Sequence, residues 1–326
     1  MGANANYTAF AMLFGFIMVG FDVGNLLLIR SIGTRLHGST TGAALAWVYA
    51  VLAAPLIFVW WNFEPMVAFF LLLSLSALLN ARENRAAVWA AIGALVKFTP
   101  AIVLGAMWRF RPVNRALRAS LITGAIFGGV YLLLFAQNAA MTAPSLTAQF
   151  NKASYESVWA LIDGNYRTGN FGAVQERLDP ANAYVLQGNP SRIPGILRLG
   201  AAALIGLFIY AHTRRFDDKG LVAFVTVSLL IFFLQAQGWS PQWLAQIIPL
   251  LLLCFPNRDG ITGIVVLTLI SFTEYPFLFI RTGDTGGVIS GSLVPIYVML
   301  ILFRTLILVV YCFALYRRLR QEPVPA

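Results

Sequence analysis

The chain has 326 residues, of which 59% are hydrophobic and only 11% are charged, and its mean hydropathy is +0.75. This composition excludes an ordinary soluble domain, in which about a quarter of the residues are charged. The formal net charge of +10 does not indicate nucleic-acid binding, because the basic residues stand in short clusters between apolar runs, as they do in cytoplasmic loops of membrane proteins. The sequence therefore predicts an all-α, polytopic transmembrane bundle and no nucleic-acid partner.

Nine apolar runs are read as full membrane spans. They cover residues 7–29, 41–61, 65–80, 119–137, 194–212, 221–237, 241–255, 261–280 and 288–316. A long polar loop over residues 138–193 separates two of the runs and carries aromatic residues suited to the headgroup level. Within it, the spacing over residues 154–161 is compatible with a short amphipathic helix or with simple aromatic anchoring.

Residues 86–111 (AAVWAAIGALVKFTPAIVLGAMWRFR) form a tenth apolar segment with Lys97 at its centre and Pro100 three residues later. A charge near the bilayer midplane costs at least about 2.5–3.5 kcal/mol, so it normally faces the protein interior, a partner or a water-filled cavity. Both flanks are basic, and a single crossing would place one basic cluster outside, against the positive-inside rule. We therefore predict a re-entrant hairpin of two half-length helices with Lys97 at its tip as a functional-site candidate.

The re-entrant hairpin places every basic connector on the cytoplasmic side, with the N-terminus outside and the C-terminus inside. We expect residues 1–326 to form a single integral membrane domain. A chain that starts outside with no preceding cytoplasmic segment also leads us to expect a missing upstream segment.

Polar residues at the predicted outer face supply the other candidates. Glu64 lies in the turn WWNFEP beside Trp61 and Asn62, where aromatic rings are suited to stacking on a sugar or prenyl surface. Glu274 lies about two turns inside its span, where a carboxylate is costly unless paired, and Lys97 and Arg281 are both possible partners.

The turn at residues 237–243 contains Trp239, Ser240 and Gln242. It is either an aromatic belt at the membrane edge or an anion site, because Ser240 as N-cap followed by Pro241 would aim free N–H groups outward. For Asp22 and Arg304, inside the first and last spans, we expect structural pairing or snorkelling. No cluster of ligands indicates a metal, and no cofactor is predicted.

Four stretches in order carry a family resemblance: WWNFEP at 60–65, KFTP at 97–100, YESVWALIDGNYRTGNFG at 155–172, and SPQW at 240–243 ahead of Pro249. Together they resemble the GT-C fold polytopic glycosyltransferases, in particular glycosyltransferase family 87, the polyprenol-phosphate-mannose-dependent mannosyltransferases, formerly a domain of unknown function. The similarity runs over most of the chain.

The resemblance implies a GT-C-like bundle in a bacterial plasma membrane. It implies transfer of a hexose, often mannose, from a polyprenyl-phosphate donor to a lipid or glycan acceptor on the extracytoplasmic face. Lys97 matches the motif lysine and is expected near the carrier phosphate. We also expect Thr99, Tyr166 and Arg167, which lie in these motifs, to contact substrate.

One feature of the family has no match in this chain. Family members usually begin with a cytoplasmic N-terminus, one span and a first outer loop that bears the acidic catalytic base. The chain is therefore truncated, or Glu64 substitutes as the base, or the protein is inactive. A transporter or flippase of a lipid-linked or anionic solute, which would also use a broken helix and a midplane charge, and a non-catalytic membrane scaffold remain alternative functions.

Overall fold

The structure, a computed structural model, describes residues 5–52, 59–60, 62–148, 152–170, 179–283 and 286–322. Regular structure in these ranges is helical. The α-helices are α1 (Ala5–His37), α2 (Ser39–Val51), α3 (Glu64–Leu79), α4 (Glu83–Val96), α5 (Val103–Phe110), α6 (Val113–Thr147), α7 (Val158–Asp163), α8 (Gly195–His212), α9 (Asp218–Gln235), α10 (Leu244–Cys254), α11 (Arg258–Phe272) and α12 (Leu293–Arg320). Short 3₁₀ segments are Thr99–Ile102, Pro180–Tyr184 and Pro241–Trp243, and α11 continues through the π-helical segment Thr273–Leu278 to a last turn at Phe279–Arg281.

Six helices in the described part of the chain are long and apolar enough to cross a membrane: α1, α6, α8, α9, α11 with its extension, and α12. Large apolar side chains are exposed along them, among them Leu132, Leu204 and Phe313. Such wide apolar surface is typical of helices that face lipid. The all-α fold with membrane-type helices is confirmed, whereas nine spans and a GT-C architecture stay predictions.

The three remaining predicted spans differ from these six in length. Residues 65–80 correspond to α3 and residues 241–255 to a 3₁₀ turn followed by α10, and both are apolar helices too short to be counted with the six. The predicted span 41–61 contains α2, which ends at Val51, while residues 53–58 and 61 lie outside the described residues. Composition alone marks such runs as apolar but does not fix where each helix stops.

The long polar segment begins later than we expected, because α6 runs to Thr147 instead of ending before residue 138. Asn138 interrupts the helix with φ −159° and ψ 94°, and its side-chain Oδ1 accepts the N–H of Met141 at 3.1 Å, which starts the helix again. Further on, α7 is the short helix in this segment, and it ends at Gly164, whose φ of 77° closes the last turn.

Residues 83–111 double back on themselves. After α4, Lys97 is extended, and the 3₁₀ turn leads into α5. A Cβ on Gly93 would lie 2.8 Å from the ring of Pro100, so glycine permits the returning chain to approach closely. Glu83 Oε1 lies 3.2 Å from Arg111 Nε, which places the two ends of the segment together and its turn at the opposite end.

The main core lies around α9 and α10. Every residue of α10 is buried, as expected for a helix that is apolar on all sides, with Gln246 as a polar exception. The helix packs against α3 and α9, and Gln246 near its N-terminus accepts a hydrogen bond from Thr99 in the turn after α4. In α1, the Asp22 carboxylate accepts a hydrogen bond from Tyr49 at 2.5 Å, and Asn25 donates to the carbonyl of Pro65 at 2.9 Å, which ties α1 to the start of α3.

Candidate functional site

Lys97 and Glu64 form an ion pair between Nζ and Oε1 at the turn of the hairpin. Glu64 begins α3, where the positive end of the helix dipole favours a carboxylate, and its backbone N–H donates to Asn62 Oδ1 at 2.9 Å. Glu64 is only 3% exposed, whereas the Lys97 side chain keeps 29% of its surface exposed. The structure thus brings three sequence candidates together, with the lysine as the accessible partner.

The second carboxylate oxygen of Glu64 also accepts a hydrogen bond. Gln246 Nε2 donates to Glu64 Oε2, and Thr99 Oγ1 donates to Gln246 Oε1 at 2.6 Å. We call Glu64, Lys97, Thr99 and Gln246 the Glu64 network. Sequence reasoning missed Gln246, although a lone amide inside the apolar run 244–254 is a usable signal, because a buried amide needs a partner.

An aromatic ring lies over the Lys97 ammonium. Its Nζ lies 4.9 Å from the centroid of the Trp243 ring, within the range of a cation–π contact. In the turn that leads to Trp243, Ser240 Oγ lies 3.4 Å from Tyr155 OH. Burial raises the pKa of Tyr155 to about 12, with the charges of Glu156 and Glu64 adding to the effect and the Ser240 hydrogen bond opposing it. The phenol is therefore neutral near pH 7 and can donate a hydrogen bond.

The turn at residues 237–243 differs from the capped α-helix start that we predicted. Ser240 precedes Pro241 as expected, but the first turn is 3₁₀ and the serine hydroxyl does not cap it. The backbone is instead held by Tyr155, whose carbonyl accepts the N–H of Trp239 at 3.0 Å. Gln242 is half-buried in this turn and does not join the Glu64 network.

A second buried ion pair lies between Arg304 of α12 and Glu274. Neither of the two possible partners named for Glu274, Lys97 or Arg281, forms this pair, because α12 packs against α11 and brings Arg304 to the carboxylate. The same guanidinium donates to the carbonyl of Glu156 and lies 4.5 Å from the ring of Trp239. We call Arg304, Glu274, Glu156 and Trp239 the Arg304 cluster.

The Glu156 side chain is almost fully buried in this cluster. Burial raises the pKa of its carboxyl, and the positive charge of Arg304 opposes that shift. Its backbone has a φ of 46°, which is uncommon for a residue other than glycine. Glu156 was not a sequence candidate, since it reads as one charge of a polar loop.

Tyr166 and Arg167 act through their main chains in the described structure. The carbonyl of Tyr166 accepts the N–H of Ile289 at 2.9 Å, and the carbonyl of Arg167 accepts the hydroxyl of Tyr297 at 2.9 Å. These bonds fasten the segment after α7 to the start of α12. Neither side chain joins the Glu64 network, and Trp61 lies outside the described residues.

The Glu64 network offers a proton acceptor and a cation side by side. Among the described residues no group of three or more His, Cys, Asp or Glu side chains could hold a metal ion. Comparison with known proteins gives no relative from which roles could be transferred: no family model, no curated protein and no solved structure matches this chain.

Proposed function

We propose that this chain is an integral membrane hexosyltransferase of the GT-C type. It transfers a hexose, which we take to be mannose, from a polyprenyl-phosphate carrier to a lipid or glycan acceptor on the extracytoplasmic face of a bacterial plasma membrane. The single observation that carries the proposal is the Glu64–Lys97 ion pair at the turn of the hairpin, beside helices apolar enough to lie in lipid. The N-terminus is outside and the C-terminus cytoplasmic in this proposal, as the distribution of arginines favours.

Lys97 is the group that meets the carrier phosphate. Its ammonium is partly exposed and is tethered on one side by Glu64, so its remaining donors are available to an anion. A lipid-linked donor reaches such a site sideways from the bilayer, which suits a charge held between apolar helices.

Glu64 is the acceptor of the reaction proton. The acceptor hydroxyl loses its proton to the Glu64 carboxylate, its oxygen forms a bond to the anomeric carbon, and the bond from that carbon to the phosphate oxygen breaks. The leaving polyprenyl phosphate takes the bonding electrons and gains negative charge. Because protonation of Glu64 removes the counter-charge of Lys97 at the same step, the lysine becomes free to stabilise the leaving phosphate.

The test is transfer from a radiolabelled polyprenyl-phosphate mannose by the full chain reconstituted in lipid nanodiscs. Lys97→Met is expected to lower transfer by at least about 100-fold, in the range for loss of one preorganised electrostatic contact. Lys219→Met is the matched control, because Lys219 is an exposed lysine outside the network, and it should retain full activity. Full activity of Lys97→Met would refute the assignment.

Loss of folding has to be separated from loss of chemistry, because Lys97→Met leaves a buried carboxylate unpaired. The double variant Glu64→Gln/Lys97→Met leaves no unpaired charge and should fold, as measured by thermal unfolding, and yet be inactive. If wild type shows no transfer but moves a lipid-linked or anionic solute across liposome membranes, the protein is a transporter or flippase instead.

A further inference from the structure

We propose that the protein binds an anionic phospholipid at the end of α3 and α4 that lies opposite the Glu64 network. The phosphate sits among four arginines, and one acyl chain lies along the groove between α3 and α4. This proposal is independent of the glycosyltransferase function and needs only that the protein lies in a bilayer.

The first observation is a basic cavity of about 450 Å³ between the α3–α4 turn and the start of α6. We call it the arginine pocket. Its polar lining consists of Arg82, Glu83, Asn84, Arg85, Arg115 and Arg118. Four positive charges face one negative charge there, so the pocket is strongly attractive to an anion.

The second observation is that most of this positive charge is uncompensated. Glu83 lies 3.2 Å from Arg111 and 3.3 Å from Arg115, so its carboxylate is already shared. The side chains of Arg82, Arg85 and Arg118 are exposed and form no hydrogen bond or ion pair within the described ranges. Three convergent guanidinium groups without partners match the planar, multidentate recognition of a phosphate.

Other arginines on the same side of the molecule behave differently. Arg35 pairs with Asp218 at 2.7 Å, and Arg215 pairs with Asp217 at 2.8 Å. Arg109 donates to the carbonyl of Thr213 at 2.7 Å. Arg30, Arg214 and Arg317 are exposed arginines whose side chains have no hydrogen bond or ion pair within the described residues, and none of them lines the arginine pocket. A general excess of basic residues on this side does not account for three that converge on one cavity.

The third observation points to a lipid as the source of the phosphate. A second cavity of about 500 Å³ shares Arg82, Asn84 and Arg85 with the arginine pocket and extends along α3 and α4. Its apolar lining is Leu73, Ala77, Val88 and Trp89. A cationic pocket that opens into an apolar groove fits a headgroup with an attached acyl chain, whereas a free phosphate would use only the first cavity.

The experiment uses the full chain in phosphatidylcholine nanodiscs with phosphatidylglycerol as the probe, and it measures retained lipid by native mass spectrometry. The triple variant Arg82→Gln/Arg85→Gln/Arg118→Gln should weaken the preference for phosphatidylglycerol by about 100-fold, since each basic residue near an anionic lipid contributes about fivefold. The matched control Arg30→Gln/Arg214→Gln/Arg317→Gln loses the same charge and should change the preference by less than about twofold. Equal losses in the two variants would overturn the site in favour of general surface charge.

A fourth variant distinguishes the lipid from a soluble phosphate. Ala77→Phe fills the apolar groove without changing charge, so it should weaken phosphatidylglycerol binding while leaving any competition by glycerol phosphate unchanged. Glycerol phosphate that displaces the lipid at equal concentration, or a groove variant that binds the lipid normally, would overturn the lipid assignment.

Discussion

The two ends of the α3–α4 helix pair differ in whether their charged side chains have partners. At one end, Glu64 and Lys97 are paired, and every oxygen of the carboxylate has a partner. At the other end, the side chains of Arg82 and Arg85 are exposed and have no hydrogen bond or ion pair with any residue that the structure describes. Burial makes an unpaired charge costly, whereas exposed charges are solvated and contribute little to stability in either direction. The buried charge of the helix pair is therefore neutralised by a partner, whereas the exposed arginines remain available to bind an anion.

The largest effect is expected from removing the buried cation of the Arg304 cluster. Arg304→Met leaves Glu274 buried and unpaired, and we expect a loss of about 3–5 kcal/mol of folding stability. The matched control Arg82→Met removes an exposed arginine and should change stability by less than about 0.5 kcal/mol. Thermal and denaturant unfolding of both variants in detergent measures the difference. Equal losses of stability would show that buried and exposed arginines contribute alike to the fold.

A smaller loss is expected where the segment before α7 packs on the turn that precedes α10. A Cβ on Gly238 would overlap the ring of the half-buried Tyr155, so Gly238→Ala must displace one of the two segments, at a cost of about 1–3 kcal/mol. Gly124→Ala is the control, because nothing lies near its Cβ. A variant Gly238→Ala that unfolds at the wild-type temperature would show that this contact is loose.

The smallest effect is a dependence of stability on pH through Glu156. Its folded pKa is raised by burial above the ordinary value of 4.5, with Arg304 opposing, so the folded state holds the proton more tightly than the unfolded state. The stabilising contribution is fully present below that ordinary value and is lost as the pH rises through the raised pKa. The melting temperature of wild type should therefore fall relative to Glu156→Gln as the pH is raised from about 5 to about 9. Parallel pH profiles would mean that Glu156 stays ionised in the fold.

The parts of the fold that could be predicted from the sequence are those in which one residue type decides the outcome. An apolar run predicts a helix, and a lysine followed by proline within such a run favours a break, which the structure has after Val96. The position of Asn138 within α6 was not predictable in this way, because its side chain replaces the lost backbone contact and the helix resumes.

The candidate site was predicted only in its individual residues. Lys97 stood out because a charge near the bilayer midplane is costly, and Glu64 and Asn62 stood out because of the aromatic rings in their turn. The three residues do lie together. The partner of Glu274 was mispredicted because pairing depends on which helices pack side by side, and sequence distance carries no information about that. Gln246 was overlooked because an amide carries no charge, although its burial demands a partner just as strictly.

The ion pair between Glu64 and Lys97 also depends on how α3 and α4 are aligned along their axes. Glu64 stands at the first residue of α3, and Lys97 follows the last residue of α4, while the short turn at Asn80 joins their other ends. An α-helix advances about 1.5 Å per residue, so a slip of α4 along α3 by two residues would separate the ammonium from the carboxylate by about 3 Å more. A bound lipid or a single inserted residue that shifts the turn at Asn80 would therefore change the distance between Glu64 and Lys97.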